Sequence, residues 1–201
     1  MKTYLGLSAG YHDAAASVVT DQGDILFAGH AERYSKVKHD AELNGKLVCN
    51  ALDYANGVER VSFYEKPWNR YTRQVFSGQS KWPTKSDFSI KPMLGEFGYK
   101  PNMVQYFNHH KSHAAAAFQT SLFSEATCVV IDAVGEWDTI SIWDAHYDKK
   151  GNAQYKRVWR KMYPHSIGLL YSAFTERLGF CLLYTSPSPR DRTRSRMPSS
   201  A

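Results

Sequence analysis

Short apolar runs separated by polar turns open the chain. Residues 4–8 are apolar, 9–13 (Ala-Gly-Tyr-His-Asp) are a polar turn, and 14–20 return to an apolar run. That pattern predicts strand, tight turn, strand. The sequence Asp-Gln-Gly-Asp at 21–24 has hairpin chemistry and 25–28 supplies a third strand, so three antiparallel strands are expected first. Over 40–55, Leu43, Leu47, Val48, Ala51, Leu52 and Ala55 recur at three- and four-residue intervals, which predicts a helix with one apolar face and Gly57 as its cap. Residues 58–64 alternate in the manner of a fourth strand.

The stretch 65–100 lacks a sustained period. Trp68, Tyr71, Trp82 and Phe88 lie among Pro67, Pro83 and Pro92, and the segment reads as a long insertion of the kind that often carries binding work. Order resumes with a short strand at 103–107, then Asn108 as the cap of a helix reaching about residue 119. The opening pattern then returns: strand 126–132, turn 133–136, strand 139–144, hairpin turn 148–152, strand 155–163, and a helix over 166–178 closed by Gly179. The aromatic part of that helix, 169–174, is expected to be core.

The chain has 201 residues, 43% apolar and 22% charged, which excludes disorder and a disulfide-stapled miniature and leaves room for a domain and a fraction. No apolar run reaches the roughly 20 residues a membrane helix needs, and no signal-peptide core is visible, so a cytoplasmic protein is expected. The net charge of +6 invites a nucleic-acid reading, but residues 181–201 hold four arginines against one aspartate, leaving +3 for the remainder. No nucleic-acid partner is expected on that balance. The tail itself changes composition abruptly and resembles translated sequencing-adapter DNA, so it is set aside from the fold; the alternative is a basic tail that touches nucleic acid or anionic lipid. Cys49 and Cys128, each among apolar neighbours, are expected to be buried reduced thiols.

His109-His-Lys-Ser-His113 carries the sharpest chemistry. On a helix, His109 and His113 share a face with Cβ atoms about 5–6 Å apart, and two such imidazoles can grip one divalent ion. Asp132, at the carboxyl end of the next strand, offers a third ligand where βα units present them. A His, His, Asp set suits iron, zinc or manganese and leaves coordination positions open. Spacing alone equally allows histidines that merely cap and solvate a helix start. The glycine-bearing turns 9–13 and 132–136 each follow a buried strand, and Gly10, Gly135 and Glu136 could cradle phosphate through backbone N–H groups.

As a pair in matching positions, the two turns look like the phosphate loops of an actin-like ATPase fold. Gly6-Leu-Ser-Ala-Gly-Tyr-His-Asp-Ala14, Glu32-Arg33 with Lys38-His-Asp40, His109-His-Lys-Ser-His-Ala114, Ile131-Asp-Ala-Val-Gly-Glu-Trp137 and Pro164-His-Ser-Ile-Gly-Leu-Leu-Tyr171 resemble, in order, the nodulation-type O-carbamoyltransferases. The resemblance implies an α/β, actin-like (ribonuclease-H-like) fold with a mixed sheet and helices on both faces. Its first subdomain would be 1–125, including the insertion 65–100, and a truncated second would be 126–180. It implies that His109, His113 and Asp132 ligate a metal, iron foremost, with a further ligand beyond residue 180. His12 would contact the carbamoyl group or the acceptor, and Asp13 would orient it, although neighbours in an extended segment point to opposite sides. ATP and carbamoyl phosphate would be the co-substrates, used by a C-terminal adenylate-forming domain outside this chain. A small-molecule hydroxyl would be the acceptor, and the fragment alone would be inactive. A threonylcarbamoyl transferase acting on tRNA and a non-catalytic actin-like nucleotide-binding module are the competing readings; oligomeric state is not indicated.

Overall fold

The first strand, β1 (Thr3–Ser8), buries alternate residues, Thr3, Leu5 and Leu7, as a pleated strand with one face on a core must. In this computed structural model, which describes residues 1–79 and 89–180, the chain divides into two units, Met1–Phe123 and Ser124–Ala201. Within the first, β2 (Ala15–Thr20) pairs antiparallel with β1, placing Leu5 opposite Val18, and β3 (Ile25–His30) pairs antiparallel with β2. On the other side of β1, β4 (Val58–Phe63) and then β5 (Val104–Tyr106) run parallel to it. The resulting order β3-β2-β1-β4-β5, with β2 alone running against the rest, makes a mixed sheet in an α/β unit.

Parallel neighbours need crossovers, and the helices supply them. Between β3 and β4 lie α1 (Glu32–Ser35) and α2 (Gly45–Asp53), and α2 buries Leu47, Val48 and Ala51 in the same core as Leu5, Val18 and Val61. Burying each of these leucine and valine side chains contributes about 1.5–3 kcal/mol. The helix starts later than its apolar period predicts because Asn44, in an extended conformation, caps it by accepting from the Lys46 N–H. Gly57, with φ of +83°, serves the turn into β4 and not the helix end. Cys49 departs from expectation: with Leu47, Val48 and Ala51 turned inward it faces solvent, whereas Cys128 is buried and its thiol is pushed up by that burial.

The stretch expected to be irregular holds two helices, α3 (Pro67–Phe76) and α4 (Lys91–Glu96), each with proline in its first turn. Leu94 and Ile90 join the core. Trp82, Pro83 and Phe88 fall outside the described residues, as does the tail from 181. After β5, α5 (His109–Gln119) completes the unit.

The second unit is an antiparallel sheet of β6 (Glu125–Gly135), β7 (Asp138–Tyr147) and β8 (Ala153–Met162), followed by α6 (Ile167–Arg177). It repeats the strand, strand, strand, helix opening of the first. The expected turn at 133–136 is mostly strand. The ladder pairs Ile131 with Ile140 and then Gly135 with Asp138, so a bulge absorbs the extra residues and the turn shrinks to Glu136 and Trp137. The start of α6 is tied to that bulge. Ser166 Oγ caps the helix by accepting from Leu169 N–H at 3.0 Å and donates to the Ala133 carbonyl at 2.6 Å. Gly168 lies so close that a Cβ there would stand 2.6 Å from Ala133 Cα. With its glycine side against β6, α6 buries none of its residues, and Leu170, Tyr171 and Phe174 are exposed. The expectation that 169–174 is core is therefore corrected.

Among the described residues, no helix is long and apolar enough to cross a membrane.

A methyl group at Gly168 must push α6 off the Asp132 to Ala133 backbone. Gly168→Ala is expected to destabilise the chain by about 1–3 kcal/mol in urea or thermal unfolding, the usual penalty for overpacking. An unchanged midpoint would show that the contact is not tight.

Candidate functional site

The histidine helix is positioned at its first turn. Asn108, held extended by the strand that precedes it, accepts from Lys111 N–H at 3.1 Å and so sets where helical geometry begins. Ser112 Oγ donates to the Tyr64 carbonyl at 2.8 Å, pinning α5 to the residue that follows β4, and the Tyr64 ring meets His109 edge-on at 5.3 Å. His110, Ala114 and Phe118 recur every four residues and bury one side of the helix. His109 and His113 occupy the adjoining side, with their Nε2 atoms 3.0 Å apart. Two nitrogens at that separation match ligands about 2.1 Å from one ion at about a right angle. Asp132, the third ligand expected from the sequence, belongs to the second unit.

The β1–β2 turn gathers a second set of polar groups. Asp13 takes φ of +49° and His39 takes +54°, conformations that L residues adopt at a cost. At Asp13 this breaks the alternation of an extended segment and swings the carboxylate back onto its own neighbour: Oδ2 lies 2.8 Å from His12 Nδ1. Oδ1 lies 3.2 Å from His39 Nδ1, so one carboxylate spans two imidazoles. The hydrogen bond to His12, followed by the weaker one to His39, holds the Asp13 carboxyl below its ordinary 3.8 although partial burial opposes this. Glu32 steadies the far side by accepting from the His39 N–H. His12 keeps its Nε2 directed away from that bond, with half of the side chain exposed.

Gly10 takes φ of +88°, as a glycine turn should, but its N–H is spent on the Ala41 carbonyl at 2.7 Å. That N–H holds the turn to the 40–41 segment and is not aimed at a ligand. The missing side chain admits a guanidinium instead: Arg70 Nη1 would lie 3.0 Å from a Cβ at Gly10. Arg70 in turn binds Glu65 Oε1 at 2.5 Å, and Glu65 Oε2 lies 3.9 Å from His109 Nδ1. Glu65 and Arg70 are both largely buried, and neither was singled out by the sequence. The one available signal was position, since a charged residue directly after a central parallel strand stands where α/β sheets present their functional groups.

In the second unit, Asp132 is half-buried in the bulged part of β6 and not at the strand end, and its Oδ1 accepts from Ala133 N–H at 2.6 Å. Gly135 pairs with Asp138 and does not use positive φ; Glu136 takes it, at +57°, with its side chain buried. The second glycine turn is thus a tight hairpin, not an open loop like the first.

Residues 63–183 match the family described as Carbamoyltransferase N-terminus. Over 205 residues the chain is 38% identical to the uncharacterized protein sll1178 of Synechocystis, covering 90% of this chain and 32% of that protein. It is 28% identical over 137 residues to nodulation protein NolNO of Sinorhizobium fredii, covering 63% of this chain and 20% of that one. The chain therefore spans a third or less of these two relatives. Among solved structures, YeaZ from Pseudomonas aeruginosa superposes with a TM-score of 0.40 at 13% identity, over 82% of this chain and 68% of that one.

The depressed Asp13 carboxyl fixes a sign. Its contribution is present above the unfolded carboxylate range, near pH 4, and is lost as pH falls through the lower folded value. Hydrogen exchange at the Gly10 and Ala14 amides, which bond to Ala41 and Asp40, should be protected at neutral pH and lose protection in acid. Asp13→Asn, which tolerates the same backbone, should show the loosened turn at every pH. Equal protection in the variant and the parent would remove the carboxylate's role.

Proposed function

Because the chain belongs to the carbamoyltransferase N-terminal family, we propose that it is the metal-holding, acceptor-side part of an O-carbamoyltransferase. The observation that carries this reading is the His109 and His113 pair, Nε2 to Nε2 at 3.0 Å, inside the segment that matches the family. In this reading Asp132 is the third protein ligand and the ion is iron, zinc or manganese. The ion would serve as a Lewis acid for a phosphate or carbamoyl oxygen.

The carbamoyl donor is carbamoyl adenylate, made from carbamoyl phosphate and ATP by an adenylate-forming domain of the longer protein. Transfer breaks the bond from the carbamoyl carbon to the phosphate oxygen and forms one to the acceptor hydroxyl; AMP leaves and the hydroxyl proton goes to a base. His12 is that base. Asp13 engages Nδ1, which leaves the Nε2 lone pair for the acceptor's proton and balances the charge the ring acquires. The donor's phosphate is met by the Arg70 guanidinium, which occupies the space beside Gly10. The acceptor is a sugar or natural-product hydroxyl.

Metal analysis tests the first step. The purified protein should carry about one divalent ion per chain, and the joint substitution His109→Ala, His113→Ala should abolish it; stoichiometric metal in that variant would remove the site. In the longer protein, label from carbamoyl phosphate should reach a small hydroxyl acceptor in the presence of ATP, and His12→Ala should lower kcat by about 10²–10⁴. Label appearing only as threonylcarbamoyl on tRNA would overturn the acceptor class.

A further inference from the structure

Glu65 is a buried carboxylate with 4% of its side chain exposed, standing two residues after β4 ends. A charge so placed needs donors on both oxygens. Arg70 satisfies Oε1, and the imidazole of His109 faces Oε2 across 3.9 Å. That is ion-pair distance, longer than a hydrogen bond. The two residues cannot drift apart, because Ser112 on the histidine helix is bonded to the carbonyl of Tyr64, next to Glu65 in the chain.

We propose that Glu65 is a positioning residue for the histidine pair: it takes the Nδ1–H of His109, and Arg70 braces it from the other side. The inference rests on the metal reading of His109 and His113 and adds a residue to it. It also fixes the tautomers. A carboxylate at Nδ1 keeps the proton there, so His109 Nε2 presents a lone pair toward His113. The 3.0 Å contact between the two Nε2 atoms then requires His113 to donate from its own Nε2 when no ion is bound. That proton must move to Nδ1 or to solvent before His113 can act as a ligand. A carboxylate behind a ligating imidazole raises its basicity and fixes the plane of its ring, so the gain is in metal affinity and not in the fold of the helix.

Two measurements on the purified chain test this. Long-range 1H–15N correlation of the metal-free protein should show His109 protonated at Nδ1 and His113 at Nε2; His109 protonated at Nε2 would overturn the proposal. Competition titration with zinc alone should show affinity about 10–100-fold weaker in Glu65→Gln than in the parent, with the circular dichroism spectrum unchanged. A folded Glu65→Gln chain that binds zinc as the parent does would also overturn it. Should Glu65→Gln fail to fold, the tautomer spectrum of the parent decides alone. Should the parent bind no zinc, the metal reading falls, while the spectrum still decides whether Glu65 holds His109.

Discussion

One hydrogen bond, from Ser112 Oγ to the carbonyl of Tyr64, determines where the chemistry of the first unit can occur. It joins the first turn of α5 to the carboxyl end of β4, the strand next to β1 at the centre of the sheet. Helix periodicity then does the rest. Once His110, Ala114 and Phe118 are committed to the interior, His109 and His113 have one side left to occupy, together. The Asn108 cap fixes the start of the helix and so prevents the pair from rotating by a residue. A shift of one position would carry each imidazole about 100° around the axis and separate the nitrogens from their neighbours.

The same sheet end is stabilised by charge as well as by packing. Glu65 and Arg70 are taken out of water as a pair, and such pairs gain little net stability, whereas breaking one from a single side costs about 3–5 kcal/mol. The pair is therefore better understood as specifying an arrangement. Its arginine end fills the space that Gly10 leaves vacant, and its glutamate end faces His109, so the turn after β1 and the helix after β5 are set against a common ion pair. Asp13 does a comparable thing for the β1–β2 turn. Its backbone strain, of order 1–3 kcal/mol, is offset by a carboxylate that meets two imidazoles at once.

Local signals made much of this readable from the chain. The three opening strands, the cap at Asn108 and the four-residue histidine spacing all depend on neighbours in sequence, and each stands where the pattern put it. The departures have separate causes. Helix α3 is mostly polar, carrying Asn69, Arg70, Thr72, Arg73 and Gln74, so its amphipathic period was overlooked in a segment that is polar and proline-bearing overall. The expected contact of Asp13 with His12 is present against the alternation of an extended segment, a rule that a single positive φ annuls. Cys49 was assigned to the interior from its apolar neighbours, though helix geometry turns it outward when they turn in. Glu65 left only its place after β4 as a trace, because nothing in the run from β4 to α3 reveals an imidazole more than forty positions later.

The second unit shows how far one residue type can shift the meaning of a motif. Asp132-Ala-Val-Gly-Glu136 reads as a glycine loop matching the one after β1, yet Gly135 sits in a paired strand and the unusual conformation falls on Glu136. The bulge makes the difference. By absorbing residues between Ile131 and Gly135 it keeps β6 hydrogen-bonded to the hairpin while bending the chain at Asp132 and Ala133, where Ser166 and Gly168 meet it. In the first unit the corresponding freedom is at Gly10 and admits a guanidinium; in the second the close approach is made by a helix backbone, at Gly168. The repeat thus conserves the order of elements and redistributes the glycines. Asp132 is held through its neighbours' backbone, in a bend that a serine cap and a missing side chain fix together.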